Sequence, residues 1–315
     1  MAKRRRARGL SRRRLALLLA VAGLSFALGM FWARRGQAPG GPAGDDGVRT
    51  PPPAPAAPPP APSRRRELPP AAPAPPGPAR PAALAPVAAG QARIALVIDD
   101  LGRSVADVGR VESLHVPWTG AVLPFESQTA EVAAALRTRG IEYLCHLPMQ
   151  AANGDPGPGA LLLDMTPAQL ARTTGAALDA VPGAAGVNNH MGSVLSADEG
   201  AMGPILAELA ARGLFFIDSR TSPASVGYRL ALAHGVAAAE RQVFLDADPA
   251  PEAVALQFER LLGLARERGA AVAIGHPHRD TLSVLEREIP RALAAGYEFV
   301  PASYLLDTPA TTVEH

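Results

Sequence analysis

The sequence has a single cysteine, Cys145, in 315 residues. No disulfide can form within one chain, so nothing staples a small core. Some 220 residues can bury a core without one, and Cys145, set inside an apolar run, reads as a buried thiol. Each half of the chain is also short of one sign of charge. Residues 1–90 hold fifteen Lys/Arg against three Asp/Glu, a balance of +12. The remainder holds sixteen against twenty-six, a balance of −10. The net charge of +2 thus conceals two unlike halves. Because the half able to fold is acidic, nucleic acid is excluded as an expected partner.

The first ninety residues lack the pattern of a packed domain. Residues 1–14 form a basic segment with eight Lys/Arg. Leu15 to Trp32 is an apolar run of eighteen residues, just enough for a bilayer core of about 30 Å. Trp32 suits the interfacial belt, and the basic excess before the run belongs in the cytoplasm. Residues 15–33 are therefore expected to anchor the chain, single-pass, in a bacterial inner membrane. The runner-up is a cleaved signal peptide. No small-x-small site precedes Arg34, although Ser11-Arg12-Arg13-Arg14-Leu15 loosely resembles a twin-arginine signal. Either reading sends the rest of the chain to the periplasm or beyond. Between Pro39 and Pro86 stand eighteen prolines. Residues 34–90 are expected to be a disordered, semi-rigid polyproline linker, extending about 3.1 Å per residue. The Arg64-Arg65-Arg66 cluster within it reads as solvated.

From residue 91 to 310 the pattern changes to short apolar runs alternating with helical periods. The pivotal stretch is Arg93-Ile-Ala-Leu-Val-Ile-Asp-Asp-Leu-Gly102. Its run reads as a strand buried on both faces, ending in two adjacent carboxylates and a turn-permitting glycine, the alternative being an Asp-Asp-Leu-Gly turn that only caps the next helix. Further strands are predicted at 118–123, 141–145, 185–188, 214–217, 242–245, 271–274 and 297–300. Helices are predicted at 104–113, 127–139, 167–180, 198–212, 250–268 and 280–295, with a weaker one at 224–234. Seven or eight βα repeats imply a closed or nearly closed parallel (β/α)7–8 barrel, with a doubly wound open sheet as the alternative.

Polar residues recur where these strands end: Asp99-Asp100, Glu126, His146, Asn188-Asn189-His190, Asp218-Ser219-Arg220, Asp246 and His276-Pro277-His278. In a parallel barrel those ends share one face, so the recurrence marks a site. Carboxylate with imidazole suits a divalent metal of the Zn2+ kind, held by three side chains with a position left for water. Asp100, His146 and His190 are the candidate ligands. A metal there acidifies water and polarises a carbonyl. Asp99 is the candidate base, and His276 the acid that protonates a leaving amine. Asp218 or Arg241 is expected to orient these groups. Asn188 and Asn189 have the alternative of bonding loop backbone, and Asp246 that of capping the helix after Pro249. Only one of His276 and His278 is expected to face the pocket. His115, His234 and His315 read as structural.

The blocks Ala95–Gly102, His146–Gln150, Gly186–Ser193, Phe215–Thr221, Val243–Asp246 and Ala273–Pro277 resemble the divergent polysaccharide deacetylases. These are a distant branch of the metal-dependent enzymes acting on chitooligosaccharides and peptidoglycan, with a distorted (β/α)7 barrel. The resemblance implies that Asp99 acts as base, Asp100 as metal ligand and His276 as acid. Better-known members carry two histidines four apart, whereas here Gln150 follows His146. The resemblance then implies that His190 supplies the missing ligand. It also implies an amino-sugar polysaccharide or oligosaccharide substrate, with Gln150, Asn188, Asn189, Asp218, Arg220, Arg241, Asp246 and His278 supporting the site or binding substrate. The expected activity is hydrolysis of N-acetyl groups. The rivals are an inactive barrel that binds cell-wall glycan or an envelope partner, and hydrolysis of another amide such as a peptide bond.

Overall fold

The computed structural model describes residues 92–309. The basic segment 1–14, the anchor 15–33 and the linker 34–90 expected above lie outside the described residues. Among the described residues, no helix is long and apolar enough to cross a membrane.

Strands and helices alternate as the periodicity implied: β1 (Ala92–Leu101), α1 (Val105–Glu112), β2 (Thr119–Val122), α2 (Thr129–Thr138), β3 (Glu142–Met149), α3 (Pro167–Ala180), β4 (Gly186–Met191), α4 (Glu199–Arg212) and β5 (Phe215–Asp218). Next come α5 (Gly227–Ala233), β6 (Ala238–Glu240), β7 (Val243–Phe244), α6 (Pro251–Arg268), β8 (Ala270–Gly275), α7 (Arg279–Ala294) and β9 (Tyr297–Val300). Local chemistry sets the ends. Thr166 and Gln169 form a reciprocal capping box in front of α3, with Pro167 in its first turn. Asp198 accepts from Ala201 N to start α4, and Gly213 ends it in the left-handed conformation. The three-residue β6 lies outside the expected strands. β3 runs on to Met149 through Pro148, beyond the expected end at 145.

Every ladder between these strands is parallel, in the order β6-β5-β4-β3-β2-β1-β8-β7, with β9 added alongside the start of β1. Each strand from β2 to β6 lies beside its predecessor, so the sheet winds one way and is not doubly wound. Its two edge strands, β6 and β7, are separated in the chain by Arg241 and Gln242 alone. At 3.8 Å per residue that link keeps the edges close, so the sheet must curl round on itself. The result is a curled, incompletely closed barrel with helices outside.

Alternation along the strands sorts the side chains. Ile94, Leu96, Ile98, Cys145, Val187 and Phe216 face outward into the layer under the helices. Ala95, Val97, Ala121, Leu144, Ile217, Val272 and Ile274 face inward and pack together. Near the strand N-termini a 3-10 turn at Ala302–Leu305 plugs the interior. Thr119 Oγ1 accepts from Ala302 N and donates to Glu142, fixing that plug to β2 and β3.

Candidate active site

The same alternation, continued to the strand C-termini, delivers the polar side chains. Inward positions Ala95 and Val97 lead to Asp99, Leu144 leads to His146, and Val272 and Ile274 lead to His276. Asn188 and His190 occupy the inward positions of β4, with outward Val187 before them. Asp100 should face outward, yet does not. The β1–β2 register shifts between Ile98 and Leu101, and Asp100 has φ +58°. A bulge of this kind re-aims a side chain, and it brings both acids into one site. Gly102, at φ +125°, then lets the chain pass within van der Waals contact of Leu123.

His146 is the hub. Its Nδ1 is 2.9 Å from Asn188 Oδ1, and Asn188 Nδ2 donates to Asp99 Oδ1 at 2.8 Å. The carboxylate fixes which way the amide points, so His146 Nδ1 must carry the proton and donate. Its Nε2 lone pair is left facing Asp100 Oδ1 at 3.3 Å, Asp99 Oδ2 at 3.4 Å and His190 Nδ1 at 3.1 Å. Asp100 Oδ1 lies 3.0 Å from His190 Nδ1. It is buried and accepts no hydrogen bond of adequate geometry. Asp100 Oδ1, His146 Nε2 and His190 Nδ1 thus form a near-equilateral triangle with the orphaned oxygen at one corner, and the cluster can hold a metal ion. Bonds of about 2.0–2.1 Å in a tetrahedron put ligand atoms about 3.3 Å apart, close to the separations found here.

Electrostatics separates the acids. Burial raises the pKa of Asp99 despite the opposing charges of His146 and His276. Asp100 is also penalised by burial, but the two imidazoles beside it outweigh that and hold it well below the usual carboxylate range. Burial would lower His146, and the charges of Asp99 and Asp100 overcome it and raise the pKa. The pocket thus favours positive charge at its centre, as a proton or as an ion.

His276 stands on the far side, with Nε2 3.8 Å from Asp100 Oδ2. Asp246 Oδ1 meets its Nδ1 at 3.0 Å, and Asp246 Oδ2 accepts from His276 N at 2.8 Å and Thr281 Oγ1 at 2.9 Å. Burial alone would depress His276, but the bond to Asp246 and the nearby carboxylates push it up to about 9. His278 is exposed and stacks on the His276 ring at 5.3 Å. Asp246, His276 and His278 form a second cluster with metal-ligand spacing. Because three donors already occupy the Asp246 oxygens, this cluster serves to hold the His276 ring rather than to offer free ligands.

Other expected residues lie elsewhere. Gln150 Oε1 accepts from Leu163 N at 2.7 Å and so braces the β3–α3 loop. Asn189, at an outward position, donates to Met191 O and accepts from Ser219 N. Asp218 is likewise outward: it accepts from Ser225 Oγ, Tyr228 N and Arg220 N, shaping the turn into α5. Arg220 donates to the carbonyls of Ser225 and Pro223. Arg241 donates to the Ser219 and Arg220 carbonyls and lies over the Phe244 ring. It reaches Asp99 through its field and not through a bond. Asp246 does not cap α6, whose first residues are preceded by Ala250 with no side-chain cap. Thr281 was missed, since a threonine in a first helical turn gives no distinctive signal. A cavity of about 580 Å³, lined by Tyr143, Phe215, Val236 and Leu306 among others, sits at the strand N-termini and contains none of these groups.

Residues 96–306 match the family described as divergent polysaccharide deacetylase. The chain belongs to that family. The match to the divergent polysaccharide deacetylases opens within β1 and closes after the 3-10 plug, so it covers all of the barrel but the first residues of β1. An uncharacterized Escherichia coli K12 protein, YibQ, is 35% identical over 225 residues, 71% of this chain and 70% of that protein. An uncharacterized Haemophilus influenzae Rd protein is 34% identical over 197 residues, 62% of this chain and 70% of its own length. The fold is shared with the crystal structure of an uncharacterized Agrobacterium tumefaciens C58 protein at 22% identity and TM-score 0.64, covering 70% of this chain and 92% of that one.

Proposed function

We propose that this divergent polysaccharide deacetylase hydrolyses N-acetyl groups on an amino-sugar polymer of the cell envelope, using a divalent ion of the Zn2+ kind. The supporting observation is the convergence of Asp100 Oδ1, His146 Nε2 and His190 Nδ1 on one point beside an acid and an imidazole that are not needed as ligands. Asp100, His146 and His190 are the residues that would hold the ion. Once bound, such an ion supplies Lewis acidity, acidifying water and polarising an amide carbonyl. Asp99, its affinity for protons raised by burial, takes the proton from the attacking water. Asn188 holds Asp99 in place while it does so. His276, kept protonated and oriented by Asp246, gives its proton to the departing amine. Water is consumed, the amide C–N bond breaks, and acetate and a free amino sugar leave.

The test is acetate release from an N-acetylated chitooligosaccharide by the purified full chain supplied with Zn2+. Asp99→Asn should abolish release while metal content stays at the wild-type level. Undiminished release from that variant overturns the assignment of the base.

A second reading, a barrel that binds glycan without turning it over, has one observation in its favour: Gln150 stands where a second histidine is expected and is turned to Leu163. Calorimetric titration with Zn2+ separates the two. The hydrolase requires binding by the wild type that His190→Ala loses, and no binding by the wild type favours the glycan binder. The apolar run 15–33 and the proline-rich stretch 34–90 support a place for the domain on a stalk outside the inner membrane. Protease accessibility in spheroplasts checks that placement.

A further inference from the structure

Phe125 breaks two rules at once. It is an aromatic residue in the left-handed region, at φ +62°, and 44% of its surface is exposed. A bulky side chain at positive φ carries strain. One exposed apolar residue is ordinary by itself, so the way this ring is held decides its meaning.

The turn that carries it is pinned on both sides. Thr129 Oγ1 donates to Leu123 O at 2.8 Å and accepts from Glu126 N at 2.9 Å, bracketing Pro124-Phe125. Leu123 N donates to Leu101 O at 2.7 Å, and Gln128 N to Gly102 O at 2.9 Å. The turn is therefore fastened to the backbone that begins one residue after Asp100. From behind, the ring lies on Gly159 of the β3–α3 loop. A Cβ there would stand 2.4 Å from Phe125 Cε2, so only glycine leaves room for the ring. The same loop touches the residue after His190, since a Cβ at Gly154 would meet the Met191 side chain at 2.8 Å. It also carries the exposed Leu163 and lines a recess of about 590 Å³ with its own residues.

We propose that Phe125 is a preorganised platform on which a second sugar ring of the substrate stacks, next to the ring being deacetylated. This rests on the amino-sugar polymer reading above and deepens it: Phe125 is the residue that makes the site prefer a chain of sugars to a single one. A pyranose ring presents an apolar C–H face and a polar rim, and an immobile aromatic ring with one free face is the matching surface. Strain at Phe125 and the notch at Gly159 supply that immobility before substrate arrives.

Calorimetry of the purified full chain carrying Asp99→Asn, with tetra-N-acetylchitotetraose and with N-acetylglucosamine as probes, tests it. Adding Phe125→Asn removes the ring and suits the backbone, because asparagine enters the left-handed region readily. The ratio of tetramer to monomer affinity should fall about two- to tenfold, and Phe125→Tyr should restore it. An unchanged ratio in Phe125→Asn overturns the platform, as does a wild-type site that binds tetramer no more tightly than monomer. Acetate release by the wild type is scored separately. Its absence removes the deacetylase reading but leaves the binding comparison decisive for Phe125.

Discussion

Asp99 and Asp100 both approach the same atom, His146 Nε2, at 3.4 and 3.3 Å. Neighbours in a strand ordinarily face opposite ways, and only the break in register after Ile98 lets the second acid join the first. Two carboxylates then stand within reach of one ring with their proton affinities pushed apart, Asp99 upward by burial and Asp100 downward by the two imidazoles. That division suits a base beside a ligand.

Asp100→Asn should therefore separate fold from ion binding. Asparagine tolerates φ near +58°, so the bulge and the melting temperature should survive within a few degrees. A neutral amide is a poor ligand. Metal affinity should fall by more than the roughly 10- to 100-fold that losing a ligand's supporting partner costs. Competition with a chelator measures this, and wild-type affinity in the variant would remove Asp100 from the ligand set.

Asn188 ties Asp99 to His146 with one amide. Asn188→Ala leaves a buried carboxylate oxygen and a buried ring N–H without partners, a loss of about 1–3 kcal/mol. In a domain of this size that is a fall of about 3–10 °C in melting temperature. The His146 tautomer is also freed, so metal affinity should drop about 10- to 100-fold. A variant as stable as the wild type that keeps full metal affinity would show that the amide does neither job.

Much of this was legible in the chain. Alternation with period two, once a barrel is assumed, places His146, Asn188, His190 and His276 inside, and the same rule places Asn189 and Asp218 outside. Asp218 ends a strand as the site residues do, but its parity turns it away from them. Two features could not be read. The bulge at Asp100 depends on register against β2, which is a property of two strands rather than one. The turn of Gln150 toward Leu163 depends on how the seventeen-residue loop between Met149 and Pro167 folds back, and the sequence carries no period there to follow.

Asp218 supplies a contrast. It is fully buried, and its carboxylate accepts three hydrogen bonds from the turn into α5. Asp218→Ala should cost about 1–3 kcal/mol through unpaired buried donors, read by urea unfolding. Metal stoichiometry should stay unchanged. Loss of metal without loss of stability would mean that this residue reaches the centre after all.

The His276–Asp246 pair makes stability depend on pH at both ends. The folded pKa of His276, about 9, lies above its unfolded value, near 6.5. Its contribution is whole below about pH 6.5 and is lost as pH rises through about 9. Asp246 runs the other way. Burial would raise it, but the ring, the His276 N–H and Thr281 together hold it low. Its contribution is present above its unfolded value of about 3.9 and is lost as pH falls through the lower folded value. Asp246→Asn should cost about 3 kcal/mol at pH 6, a gap that narrows by pH 10, where His276 has lost its proton in both proteins. Urea unfolding of metal-free protein at the two pH values measures this. Imidazole NMR of the same samples should find His276 titrating near 9 in the wild type and closer to 6.5 in the variant. A gap that stays constant from pH 6 to 10 would mean that the pair does not share a charge, and that His276 is not held protonated for the amine.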